Sequence, residues 1–279
     1  MKHVFTALAL AGSLLALPAQ AQTLSAADIK KIVASPERSA ADRTNDLRRH
    51  PEEMLAFIAI KPGITALDLS AGGGYTTELL ARSIGPSGKV YGQSRPRPAQ
   101  PAPAPAAKEG NSNPNLPPAA APAGPPRPSP EALAARSKVL QDAKVAAAPI
   151  VAVVQAFEDP VPAELAQGKL DLVTLMFNYH DLGFLNIDRA AMNKAVFKAL
   201  KPGGIYVLAD HAGRPGTGIS ESGTLHRIEE AFLRKEVEAA GFKLVAEGTF
   251  LRNPNDPRDK NTPDPPQPKD EFVLKFMKP

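Results

Sequence analysis

Two periodicities divide this chain. Up to about residue 60 the apolar positions follow helical spacing. Ser25 to Ala34 predicts a short helix, and Pro51, at a first helical position, starts another whose apolar side is Met54, Leu55, Ile58 and Ile60. From Ile64 onward short apolar runs alternate with helical stretches, the pattern of βαβ units built around a parallel sheet. The runs are Ile64 to Leu69, Lys89 to Gly92, Ile150 to Val154, Leu170 to Phe177 and Ile205 to Ala209. The last three are uninterrupted, as expected of strands covered on both faces.

Between the runs, Leu79, Leu80 and Ile84 mark a helix after Gly74, and Met192, Val196 and Leu200 line another that stops at Lys201-Pro-Gly-Gly204. A helix from about Ser222 carries Leu225, Ile228, Phe232 and Val237 at three- and four-residue spacing and ends at Gly241. A strand is expected over Phe242 to Leu251. The Pro/Asp/Asn-rich stretch Asn253 to Asp270 then leads to a last strand, Glu271 to Met277, with Phe272, Leu274 and Phe276 alternating. A loop of that length lets the last two strands return as a hairpin. The expected fold is α/β: a doubly wound, seven-stranded, mostly parallel sheet over residues 61–279, preceded by a helical segment over 22–60.

Two stretches fall outside this pattern. Met1-Lys2-His3, the apolar run Val4 to Leu17 and Pro18-Ala-Gln-Ala21 read as the three regions of a signal peptide, residues 1–21, cleaved after Ala21. The run is shorter than the ~20 apolar residues a membrane span requires, so the mature chain is expected to have no span and to be periplasmic or secreted. Arg95 to Pro130 holds 13 of the chain's 30 prolines, mixed with alanine and without apolar periodicity. It is expected to be a disordered insertion, residues 95–130, that serves either as a docking segment or as padding between fixed ends, with Ser129-Pro130-Glu131 capping a new helix.

Charge narrows the function little. Lys plus Arg number 33 against 29 Asp plus Glu, a net charge of +4, and no basic block interleaved with aromatics suggests nucleic-acid binding. The absence of cysteine excludes disulfides, thiolate metal ligands and a catalytic thiol. Oligomeric state is not legible.

The glycines of Asp68-Leu-Ser-Ala-Gly-Gly-Gly-Tyr75 lie between a predicted strand and a predicted helix, where a doubly wound sheet binds nucleotide-like ligands. Gly72 and Gly74 would admit a ligand close to the backbone, and the helix start at Tyr75 offers N–H groups to an anion. Asn178, Tyr179, His180 and Asp181 follow the fourth strand, and Asp210 and His211 follow the fifth, so two adjacent strand ends would present them at one crevice. They either form a reaction centre or cap the strand ends. His226, with Arg227, starts a helix that could face the same crevice. The histidines and aspartates are the residue types of a metal site, but they lack His-x-x-x-His spacing, and no metal is expected. Arg252, Asn253 and Arg258 could cover the pocket from the long loop.

At these motifs the sequence resembles the class I S-adenosylmethionine-dependent methyltransferases, whose first motif is an acidic residue followed by alternating glycines at the end of strand one. From Arg38 to Pro279 it is similar to exported bacterial members of that group, which also carry Lys61-Pro-Gly63, Asn178-Tyr-His-Asp181, Lys201-Pro-Gly-Gly204, Asp210-His211, Gly223-Thr-Leu-His-Arg227 and Leu251-Arg-Asn-Pro254. The resemblance implies a Rossmann-like methyltransferase fold and S-adenosyl-L-methionine held by Asp68, Ser70, Gly72, Gly73, Gly74, Tyr75, Gln93 and Asn178. Gln93 stands where an acid usually meets the ribose, and Glu158 or Asp159 would approach the adenine. His180 or His211 would take a proton, Asp181 or Asp210 would orient the imidazole, and Tyr179 would position a small-molecule acceptor. The alternative is a periplasmic protein of the same fold that binds another ligand or is a metal-dependent hydrolase.

Overall fold

The structure, a computed structural model, describes residues 22–96, 127–261 and 267–279. The segment expected to be a signal peptide and most of the Pro/Ala-rich insertion lie outside these residues. In chain order the elements are α1 (Ala26–Val33), α2 (Ala40–Arg49), α3 (Pro51–Ile58), β1 (Thr65–Leu69), α4 (Tyr75–Ile84), β2 (Lys89–Ser94), α5 (Ser129–Asp142) and β3 (Ile150–Val154). After a 3₁₀ turn come β4 (Leu170–Met176), α6 (Tyr179–Phe184), α7 (Arg189–Ala199), β5 (Leu200–His211), α8 (Ser222–Leu225), α9 (Glu230–Ala239), β6 (Lys243–Gly248) and β7 (Glu271–Met277).

The seven strands form one sheet in the order β3-β2-β1-β4-β5-β7-β6. β1 to β5 are parallel, and β7 runs antiparallel between β5 and β6. Period-two alternation sends Leu67, Leu69, Val173, Leu175 and Leu208 into one apolar layer and Ala66, Leu172, Val207, Ala209 and Val273 into the other. Helices cover both layers, so the doubly wound expectation holds.

Several expectations are corrected. β3 is an edge strand with Val154 51% exposed, not a strand buried on both faces. Ser129 is the first residue of α5 rather than its cap; Pro128 holds that place and makes no side-chain cap bond. The helix expected from Ser222 to Gly241 is two helices, because His226 adopts φ 51° and Ile228 bridges to Ala212 beside β5. Asn178 stands at the N-cap of α6, whose first residues are Tyr179, His180 and Asp181.

α2 is an element that apolar periodicity does not reveal. Its one large apolar residue, Leu47, is 52% exposed, while Asp42 is its buried residue. Polar contacts hold it instead: Ser39 caps it through Asp42 N, Arg38 makes paired bonds of 2.6 and 2.7 Å to Asp46, and Arg136 of α5 bonds Asp42.

Candidate active site at the carboxyl edge of the sheet

The turn after β1 is built around Asp68. The carboxyl group is buried and accepts hydrogen bonds from Thr77 Oγ1 of α4 at 2.6 Å and Thr174 Oγ1 of β4 at 2.8 Å. Burial raises it to about 6, because these hydroxyls and the more distant Arg49 only partly offset the loss of water. Asp68 thus ties β1, β4 and the first turn of α4 together. The chain then turns through left-handed backbone at Ser70 (φ 54°), Gly72 (φ 52°) and Gly74 (φ 79°).

The three glycines face different surroundings. A Cβ on Gly73 would meet nothing within 4 Å, and both Gly72 and Gly73 are exposed. A Cβ on Gly74 would lie 2.7 Å from Leu133 and 2.8 Å from Arg136, both on α5. Leu133 also closes on Gly92 in β2. Arg136 bonds the carbonyl of Gly73, Asp42 of α2 and Glu78 of α4, clamping two helices to the turn. Gly74 therefore serves packing, and Gly72 and Gly73 form the open part of the turn.

Gln93 is fully buried, and its amide joins two backbone groups: Oε1 accepts from Ser70 N at 3.0 Å and Nε2 donates to Gln155 O at 2.7 Å. It shapes the turn from below instead of presenting a side chain above it. Tyr75 is also engaged, its hydroxyl donating to Asp46 of α2 at 2.7 Å. Burial and that carboxylate raise its phenol above the ordinary range. Glu158 is half-buried and Asp159 exposed in the turn after β3. Beside the start of α4, a narrow apolar cleft of about 20 Å³ lies among Met54, Leu55, Tyr75, Thr76, Met176 and Phe177, enough for about one water.

On the neighbouring strands the cluster at the ends of β4 and β5 comes together. His180 Nδ1 lies 2.6 Å from Asp210 Oδ1, and the same carboxylate accepts the backbone N–H groups of His180 and His211 at 2.8 Å each. On its other side His180 Nε2 lies 3.2 Å from Asp181 Oδ1, which is 3.0 Å from His226 Nδ1. Asn178 Nδ2 donates to the second oxygen of Asp181 at 3.0 Å. His211 Nδ1 lies 2.9 Å from Glu271 Oε1, and the His180 ring is centred 5.3 Å from that of His211 and 5.5 Å from that of His226.

Burial works against a charge on His180, but Asp210, with Asp181, outweighs it and lifts the imidazole to about 10. Asp181 and Glu271 are held below the usual carboxylate range: burial opposes this, but their histidine partners prevail. The proton is thus held more tightly on His180 than on a free imidazole. Left-handed backbone at Phe177 (φ 58°) and His226 (φ 51°) frames the group, at a cost of about 1–3 kcal/mol each.

Tyr179 does not join this cluster. Its hydroxyl donates to Glu236 of α9 at 2.9 Å and accepts from Asn193 of α7 at 2.9 Å, making it a buried strut between helices. The long-loop residues are likewise structural. Arg252 pairs with Glu230, Arg258 with Asp270, and Asn253 bonds the loop's own Gln267 and Pro268. Arg227 is fully buried against Asp256 at 2.9 Å and the carbonyl of Ala212.

Two groups at this edge are not foreshadowed by local motifs. Glu271 reaches His211 because β5 and β7 pair with these residues opposite one another. Arg48 and Arg49, at the end of α2, reach the same edge: Arg48 lies 3.2 Å from Glu271, and the Arg49 guanidinium lies 3.8 Å from the centre of the Phe177 ring. A run of basic residues ending a polar helix was the available sign.

No family model matches the chain, and no curated protein matches it. Solved structures do. A chain from the complex of the Haloferax volcanii Trm112 methyltransferase activator with a protein designated a methyltransferase aligns over 90% of this chain and 97% of its own, at 16% identity and a TM-score of 0.52. An S-adenosylmethionine-dependent methyltransferase from Aquifex aeolicus aligns over 87% and 100%, at 15% identity and 0.49. Aeropyrum pernix fibrillarin with natively bound S-adenosyl-L-methionine aligns over 78% and 67%, at 16% and 0.42. Of these three only the first exceeds a TM-score of 0.5, and at its level of identity it speaks for architecture alone. The chain has the Rossmann-like fold of class I methyltransferases.

Proposed function

We propose that this chain is an S-adenosylmethionine-dependent methyltransferase of a small acceptor, working in the periplasm or outside the cell after loss of residues 1–21. The observation that carries the reading is the open turn at Gly72 and Gly73, set between the end of β1 and the start of α4. Exposed backbone at that place in a doubly wound sheet suits a nucleoside with an anionic tail. The cofactor, when bound, supplies a sulfonium methyl group that is already activated.

The chain's own residues then have distinct tasks. Asp68 fixes the turn through two threonines, and Arg136 fixes it from α5. Gln93 has its amide committed to the backbone, so β2 offers no carboxylate to a ribose diol. His180 is held between Asp210 and Asp181 at the neighbouring strand ends.

Isothermal titration of the mature protein with S-adenosylhomocysteine and S-adenosylmethionine tests the reading. Binding is expected, and Gly73→Ala should weaken it severalfold while leaving the fold intact, since the added methyl occupies open space. No heat with either compound at millimolar concentration would overturn it.

A further inference from the structure

We propose that His180, Asp181 and His226 form a binding site for a divalent first-row transition ion. This goes beyond the proposed transfer reaction and does not depend on it. One ligand atom from each of the three lies within 4.8 Å of the others. The separations from Asp181 Oδ1 are 3.2 Å to His180 Nε2 and 3.0 Å to His226 Nδ1. An ion bonded at about 2.0–2.2 Å to imidazole nitrogen and carboxylate oxygen spaces adjacent ligands by about 3.0–3.5 Å, so both histidine–carboxylate separations already match the required spacing.

The surroundings are those of a supported ligand set. Asp210 takes the Nδ1 side of His180 at 2.6 Å, which directs Nε2 towards Asp181 and His226. A carboxylate behind a ligating imidazole fixes its tautomer and orientation and makes it a better donor, and the ion takes the place of the proton on Nε2. Asn178 holds the second oxygen of Asp181 and leaves Oδ1 as the ligand atom. The left-handed backbone at His226 ends α8 and turns that imidazole back towards α6.

Two imidazoles and one carboxylate select ions such as Zn²⁺, Fe²⁺ or Ni²⁺ over Mg²⁺ and Ca²⁺, which prefer all-oxygen sets. Three protein ligands leave further positions open. Asp181 is the half-exposed member of the three, so the ion would be reached from its side, where an anionic oxygen of a bound molecule could complete the coordination.

The test is titration of chelator-treated full-length protein with Zn²⁺ and, separately, Mg²⁺, followed by dialysis and metal analysis. One Zn²⁺ per chain is expected, bound at least tenfold tighter than Mg²⁺. Asp181→Asn and His226→Asn should each weaken Zn²⁺ binding at least tenfold; asparagine tolerates the left-handed backbone at 226. His50→Asn, at an exposed histidine on α3's start, should leave binding unchanged. If either site variant melts as an unfolded chain, the wild-type protein decides alone: Co²⁺ should give visible bands of nitrogen and oxygen coordination that Zn²⁺ displaces. Less than half an equivalent of Zn²⁺, Mg²⁺ bound as tightly, folded variants that bind like wild type, or a Co²⁺ spectrum indistinguishable from the aqueous ion would each overturn the proposal.

Discussion

Asp68 and Asp210 are the same side chain on the same edge of one sheet, each almost wholly buried, and their surroundings give them different work. Asp68 meets neutral hydroxyls, so desolvation dominates and the carboxyl holds its proton more tightly than in water. Asp210 instead accepts from two backbone N–H groups and lies 2.6 Å from the His180 ring, whose hold on its proton it strengthens. The contrast teaches that burial by itself does not define a reactive carboxylate; the charge of its donors does. The β1 side of the crevice is a neutral scaffold that shapes a turn. The β4–β5 side is a charged centre.

The largest expected effect breaks the charged side. Asp210→Ala leaves the His180 ring and two N–H groups without their acceptor, and should lower stability by about 3–5 kcal/mol in urea unfolding at neutral pH. A loss below about 1 kcal/mol would mean that the two carboxylates are not different in kind.

Next is the neutral side. A carboxyl raised from 3.8 to about 6 binds its proton more tightly in the folded state, so its contribution is best below about pH 4 and declines as pH rises to about 6. Asp68→Asn removes that slope. The stability of the variant relative to wild type should therefore improve by about 2 kcal/mol between pH 4 and pH 7, since pH 4 already lies just above the unfolded value. Parallel profiles for the two proteins would show that Asp68 is not desolvated in this way.

The smallest effect sharpens the role of Gln93. Gln93→Glu supplies the acid that the methyltransferase resemblance leads one to expect, but it points a carboxylate oxygen at the carbonyl of Gln155 where an amide donated. A loss of about 1–3 kcal/mol is expected in denaturant unfolding, with no gain in S-adenosylhomocysteine affinity. Tighter binding would reveal a ribose contact at this position.

What could be read from the sequence followed from how local each signal is. The glycine turn is contiguous, and its flanking strand and helix have strong periods, so Asp68 to Gly74 was placed correctly in the fold. The five parallel strands and β7 were legible for the same reason. α2 was not, since its burial is carried by Asp42 and its anchors by Arg38 and Arg136 rather than by an apolar stripe. The charged centre was half legible. His180, Asp181, Asp210 and His211 sit at predicted strand ends and His226 was expected to face the same crevice, but Glu271 joins them only through strand register. The partners of Tyr179 are not legible in the sequence, because neighbours along a short helix point to different sides and its hydroxyl is taken up by Glu236 and Asn193.

The position of β7 also sets a timetable. β6 is synthesised first but does not touch β5; it joins the sheet only through β7, which lies between them. A chain growing from its N-terminus can complete the five parallel strands and still lack the strand that carries Glu271 to His211. The charged centre is thus finished by the last strand to be made, and a folding intermediate stalled before that step would have a formed glycine turn and an open, unpaired edge at β5.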